Sequence, residues 1–81
     1  MDFIKKVIVK QDSSIEELLE CFEKIKKDGE VAVIKFDGER DNNSYTVFIS
    51  FPTNKREMIR ADENDLRNAL IKVLTDYVKE N

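Results

Sequence analysis

The sequence predicts an α+β fold, a four-stranded and mostly antiparallel sheet with two helices, in the order β-α-β-β-β-α. Two central apolar segments separated by turn residues have the alternating pattern of strands, which indicates a hairpin. Two other segments repeat apolar residues at helical spacing, which indicates amphipathic helices. The 81 residues suit a single domain, residues 1–81, with one core.

The first strand is predicted over residues 3–10, Phe-Ile-Lys-Lys-Val-Ile-Val-Lys. Three consecutive β-branched residues in this segment suit a pleated sheet. Its lysines favour an edge position, because charge on an edge strand discourages pairing with another sheet.

The first helix is predicted to begin after Ser13 or Ser14, because Glu16 or Glu17 follows three residues later in the capping-box pattern. Gly29 suits the left-handed position that ends a helix. The apolar stripe of this helix consists of Ile15, Leu18, Leu19, Phe22 and Ile25.

The hairpin is predicted from residues 31–36 and 45–51, with its tip near residues 41–44. Side chains alternate along a strand, so apolar residues fall on both faces. The first face carries Ala32, Ile34, Phe36, Tyr45, Val47, Ile49 and Phe51. The second face carries Val31, Val33 and Phe48 and is the best candidate surface for a partner or for self-association. The alternative is that one helix covers each face.

The last strand is predicted over residues 56–61. The last helix is predicted to begin after Asp62, which we expect to be its N-cap. The stripe of this helix follows helical spacing closely. It consists of Leu66, Ala69, Leu70, Val73, Leu74 and Tyr77. Ile71 and Val78 widen the apolar arc, so we expect them to contact a partner besides the sheet.

The composition argues against most catalytic chemistry. The chain has no histidine, one cysteine and two glycines, which excludes Ser–His or Cys–His catalysis, a structural zinc site and a phosphate-binding loop. We predict no enzyme activity and no cofactor. Asp37, Glu39 and Asp41 alternate along the hairpin and are candidate metal ligands, but a solvated hairpin end is the favoured interpretation.

A local basic strip is the second candidate site. A net charge of −3 disfavours direct nucleic-acid binding driven by bulk charge. The strip would contact phosphate or an acidic partner, or it would protect an edge strand, which we favour. It consists of Lys55, Arg56 and Arg60, joined by Lys5, Lys6 and Lys10.

The lone cysteine, Cys21, allows no intramolecular disulfide and indicates a cytoplasmic protein. We predict that it is a packing residue, because Glu17 and Glu20 would raise the pKa of a thiol beside them. The sequence shows no signal-peptide pattern and no membrane span.

The predicted order, with residues 58–70 linking the last strand to the last helix, resembles the double-stranded-RNA-binding-domain-like folds. It is most similar to the ribosome hibernation factors, and small phage α-β-α sandwich domains have a similar rhythm. The resemblance implies the fold. No RNA-contact residues are carried over, because residues 62–65, Asp-Glu-Asn-Asp, would repel RNA where such domains place lysines.

Together these observations predict a non-catalytic protein-interaction module. It would be a small acidic accessory or inhibitor protein, of the type that phages encode, that occupies a surface of its partner. The partner would be another protein, with a nucleic-acid-handling protein as one candidate, or a second copy in a homodimer. The alternative is an RNA- or ribosome-binding module.

Overall fold

The order of elements is α-α-β-β-β-α in the computed structural model, which describes residues 2–53 and 56–79. The elements are α1 Asp2–Val9, α2 Ile15–Lys27, β1 Val31–Phe36, β2 Tyr45–Ser50, β3 Ile59–Glu63 and α3 Leu66–Lys79. The α+β class is therefore confirmed. The prediction of four strands and two helices is wrong, because the structure has a three-stranded antiparallel sheet and three helices.

The predicted first strand is the helix α1. Ile4 and Val7, one helical turn apart, are each only 3% exposed, whereas Val9 is 76% exposed. The two lysines Lys5 and Lys6 between the buried residues are exposed. This burial follows a helical period rather than alternation, so packing overrides the strand preference of the β-branched residues.

The predicted limits of α2 are confirmed at both ends. Ser14 is the N-cap and forms a capping box with Glu17, in which the Glu17 amide donates to Ser14 Oγ at 3.1 Å. At the other end Gly29 has a φ of 93°, and the Glu30 amide donates to the carbonyl oxygen of Ile25 at 3.3 Å. These bonds satisfy backbone groups that a helix end otherwise leaves unpaired.

The sheet has the strand order β1-β2-β3. The register places Val33 opposite Phe48 and Val47 opposite Ala61. Asn43, in the predicted hairpin tip, has a left-handed φ of 54°. Both strands of the hairpin are confirmed, and β2 lies in the middle.

All three helices lie on the same side of the sheet. The buried apolar strand residues, Val47, Ile49, Ile59 and Ala61, belong to one face and share a core with the helices. α2 contacts β1, α3 contacts β2 and β3, and α1 contacts only α2 and α3 among these elements. The core residues that lie on the helices are Ile4, Val7, Leu18, Cys21, Phe22, Ile25, Ala69, Leu70, Val73, Leu74 and Tyr77.

The boundary between β3 and α3 differs from the prediction. β3 begins at Ile59 rather than residue 56 and extends to Glu63, so Asp62 lies in the strand and caps no helix. Asp65 takes that role, because its Oδ2 accepts a hydrogen bond from the Asn68 amide at 2.9 Å. Asp62 is instead the register partner of Thr46 in β2, and Thr46 Oγ1 donates a hydrogen bond to its carboxylate.

Candidate functional site

β1 is an apolar edge strand that stays accessible. Five of its six residues, Val-Ala-Val-Ile-Lys-Phe, are apolar, yet none of the six is buried. Val31 is 46% exposed and Phe36 is 67% exposed. Among the described residues β1 pairs with β2 alone, so the backbone groups at its other edge have no strand partner there.

The second face of the sheet is uncovered by the described helices. Val31, Val33 and Phe48 share this face, as predicted, and none of them belongs to the core. The alternative that one helix covers each face is therefore wrong, because no described helix packs on this face. We call these three residues the open apolar patch.

Ile71 and Val78 are not near the open apolar patch. Both lie on α3, on the other side of the sheet, and both are partly buried against the core. The five residues predicted to bind a partner therefore do not form one surface. Part of the broad apolar arc of α3 is explained by packing within the chain.

A network of charges occupies the rest of the open face, around Asp62. Its carboxylate accepts a hydrogen bond from Thr46 Oγ1 at 2.5 Å and forms ion pairs with Arg60 Nε at 3.1 Å and Arg40 Nη1 at 3.2 Å. The hydrogen bond from Arg60, followed by that from Thr46, holds the pKa of Asp62 far below its usual range. Asp62 therefore stays ionised and pairs with both Arg60 and Arg40.

Asp37, one of the three candidate metal ligands, is engaged by groups of its own chain. Its Oδ1 accepts from the Glu39 amide at 3.0 Å, and its Oδ2 lies 3.5 Å from both Lys35 Nζ and Arg40 Nε. The Glu39 hydrogen bond is the main cause of the lowered pKa of Asp37. Within residues 2–53 and 56–79, no group of three or more acidic or cysteine side chains is arranged to hold a metal ion.

The predicted basic strip does not present its arginines freely. Arg60 is paired with Asp62 on the open face. Arg56 Nη2 donates to the carbonyl oxygens of Asp76 and Tyr77, at 3.0 and 2.8 Å, at the end of α3. Lys55 lies outside the described residues. Three other lysines were predicted to join the strip. Lys5 and Lys6 lie in α1, and Lys10 directly follows it.

A groove between α2 and β1, which sequence reasoning missed, adjoins the accessible edge of β1. Its volume is about 710 Å³. The apolar part of its lining consists of Leu19, Phe22, Val31, Ala32 and Ile34, and the charged part of Glu16, Glu20, Glu23, Glu30 and Lys26. The spacing of residues 16, 19, 20 and 23 along one helix face is the sequence signal that could have indicated it.

Cys21 is fully buried, and its thiol donates to the Glu17 carbonyl oxygen at 3.5 Å. Burial, with a smaller effect from Glu20, raises the pKa of this thiol to about 11. Its predicted role as a packing residue agrees with this environment, because a neutral, buried thiol is a poor nucleophile.

No protein family matches this chain, and no curated protein or solved structure is significantly similar to it. The resemblance to double-stranded-RNA-binding-domain-like folds stays a prediction, and the strand that opens its predicted order is α1 in the structure. No helix within residues 2–53 and 56–79 has both the length and the apolar character needed to cross a membrane.

Proposed function

We propose that this protein is a non-catalytic protein-interaction module, a small acidic accessory or inhibitor that acts in the cytoplasm by occupying a surface of another protein. The observation that carries the proposal is the unburied apolar strand β1. An apolar edge strand in water favours pairing with another chain. Beside it, the open apolar patch adds side chains that gain stability when a partner removes them from water.

The two edges of the sheet support the same proposal. The β3 edge carries Arg60, Asp62 and Glu63, and charges of this kind discourage strand pairing. Within β1 only Lys35 is charged. The protein therefore protects one edge of its sheet and leaves the other apolar and accessible.

The alternative function, an RNA- or ribosome-binding module, has less support. It relied on the basic strip, whose Arg56 binds the end of α3 and whose Arg60 binds Asp62. An arginine that binds phosphate has to give up such partners first, which reduces the gain from the contact.

The test is capture from an extract of the native host by the tagged chain, with and without nuclease. The variant Val33→Asp/Phe48→Asp places two charges on the open apolar patch. Asn42→Asp/Thr53→Asp adds the same charge at exposed positions elsewhere. We expect the first variant to lose a nuclease-resistant protein partner that the second variant retains.

Folding of each variant is checked by thermal unfolding, and the single variant Val31→Asp, at a position already 46% exposed, provides a milder test. If all patch variants capture the same partner as the original chain, the open apolar patch is not its binding surface. A partner that disappears after nuclease treatment supports the RNA-binding alternative instead.

A further inference from the structure

The α2–β1 groove and the edge of β1 form one continuous surface. Leu19 and Phe22 on α2 and Ala32 and Ile34 on β1 line the same groove. Leu19 belongs to the apolar stripe of α2, yet it is 39% exposed. A chain segment lying along β1 would therefore pass beside apolar side chains of α2.

The backbone groups at this edge are identified by the register. The Asp37 amide donates to the Ser44 carbonyl oxygen at 2.8 Å, and this pair continues the β1–β2 register. Because hydrogen-bonded pairs alternate in an antiparallel ladder, Lys35, Val33 and Val31 face β2. The N–H and C=O groups of the alternate residues, Ala32, Ile34 and Phe36, then point away from the sheet.

The negative charge of the groove favours a partner segment that is positively charged. Its lining includes Glu16, Glu20, Glu23 and Glu30, against the single cation Lys26, which lies 3.7 Å from Glu23. In addition, Oε1 of Glu30 is buried and accepts no hydrogen bond from any described residue. A segment that carries lysine or arginine would compensate this negative charge.

A second copy of this chain suits the edge less well. Pairing of two β1 strands would bring two acidic grooves together, and each copy carries a net charge of −3. Like charges placed opposite one another across an interface oppose association. The groove therefore favours a basic partner over the chain itself.

We propose that the edge of β1 and the α2–β1 groove bind an extended, basic segment of a partner protein as a fourth strand of the sheet. This inference rests on the proposed function and specifies how the partner is recognised. Main-chain hydrogen bonds would come from residues 32, 34 and 36. Alternate side chains of the segment would enter the groove, where apolar groups meet Leu19 and Phe22 and cations meet the glutamates.

The probe is a blocked octapeptide that repeats Lys-Lys-Val-Val, so that each face of the extended peptide carries both lysine and valine, titrated into the isotope-labelled full chain. The matched control is an octapeptide that repeats Glu-Glu-Val-Val. We expect the basic peptide to shift the amide resonances of Ala32, Ile34 and Phe36 and to slow their hydrogen exchange. The acidic peptide should bind at least about tenfold more weakly, because charge opposes its approach.

Two variants test the two parts of the proposal. Glu20→Lys/Glu23→Lys should weaken binding of the basic peptide by about tenfold or more, since it reverses the charge of the groove. Glu39→Lys/Asp41→Lys makes the same change in net charge on the exposed β1–β2 loop and should leave the affinity within about twofold. Ala32→Pro removes an outward N–H, which an edge strand tolerates, and should abolish binding.

Several results would overturn this inference: no binding of the basic peptide, equal binding of the acidic one, or equal loss of affinity in the groove and loop variants. Self-association through β1, detected by sedimentation and lost in Ala32→Pro, would identify a second copy as the occupant. The proposed function fails separately, if no protein partner is captured. If a partner is captured and the variants Ala32→Pro and Glu20→Lys/Glu23→Lys still bind it, this inference is wrong while the proposed function stands.

Discussion

Arg56 and Tyr77 join the segment before β3 to the last turn of α3. Arg56 Nη2 donates to the Tyr77 carbonyl oxygen at 2.8 Å, and the guanidinium carbon lies 5.1 Å from the centroid of the Tyr77 ring. The Phe51 ring is stacked parallel to that of Tyr77 and also lies under the guanidinium, at 4.7 Å. One side chain therefore binds the carbonyl end of α3 and packs on two aromatic rings, so its role is structural.

Replacing Arg56 with alanine should destabilise the protein by about 1–3 kcal/mol, because carbonyl groups of α3 lose a charged donor and two rings lose a cation. Arg56→Lys should recover little of this loss, because an ammonium group lacks the planar fork that bonds carbonyls and stacks on rings. Urea unfolding measures both changes.

The control for that series is Lys26→Ala, which removes an exposed lysine from an ion pair with Glu23. It should change the unfolding midpoint little. If Arg56→Ala is as mild as Lys26→Ala, the contacts at the end of α3 contribute no measurable stability.

The burial of α1 predicts different effects for two of its residues. Ile4→Ala should cost about 2–4 kcal/mol, because it leaves a cavity where α1 meets α2 and α3. Val9→Ala, at a position 76% exposed, should change stability by less than about 0.5 kcal/mol. Val7→Ala should be about as costly as Ile4→Ala, and chemical unfolding of these variants distinguishes a packed helix from the predicted edge strand, since residues 4 and 7 share a helix face but would lie on opposite faces of a strand.

Asp62 should make the protein sensitive to acid. Its carboxyl pKa is lower in the folded chain than in the unfolded chain, so this group stabilises the fold above the unfolded-state pKa of about 4. That contribution decreases as the pH falls through this range towards the folded-state pKa. Asp62→Asn should be less stable than the original chain at pH 7, and the difference should shrink near pH 3.

The measurement for Asp62 is the urea midpoint of each chain across that pH range. Asp41→Asn, on the exposed hairpin loop, is the matched control and should follow the original chain. A difference between Asp62→Asn and the original chain that is the same at pH 7 and pH 3 would contradict the assigned ionisation.

Cys21 should resist thiol reagents while the protein is folded. Burial raises the pKa of its thiol to about 11, so the reactive thiolate is scarce at pH 8 and the sulfur is inaccessible. Labelling with a disulfide reagent should be at least about a hundredfold slower than for a small thiol and should accelerate in urea. Fast labelling of the folded chain would show that α2 opens readily.

The helix α2 and the hairpin could be predicted because the residues that specify each of them lie close together in the sequence. The α2 stripe, its Ser14 cap and Gly29 lie within one segment, and so do both strands of the hairpin. α1 was misread because its β-branched residues favour a strand, whereas only contact with α2 and α3 shows that Ile4 and Val7 form one buried face. Propensity is a weak guide when eight residues are placed by tertiary packing.

The candidate sites were harder to predict from the sequence, because the residues that form each site lie far apart along the chain. Arg56 finds its carbonyl acceptor 21 positions away, which removes it from the basic strip. Asp62 finds Thr46 across the sheet, which removes it from the helix cap. The groove forms only where α2 packs beside β1, and each of these two elements contributes one of its walls.

Residue type and spacing alone established the α+β class, the hairpin with its two apolar faces, and the helices α2 and α3. Packing in three dimensions placed all three helices on one face, so that the open apolar patch lies on the other. It also placed β1 at an accessible edge beside an acidic groove. Periodicity shows which side chains share a face, whereas coverage of a face depends on contacts between segments that are distant in sequence.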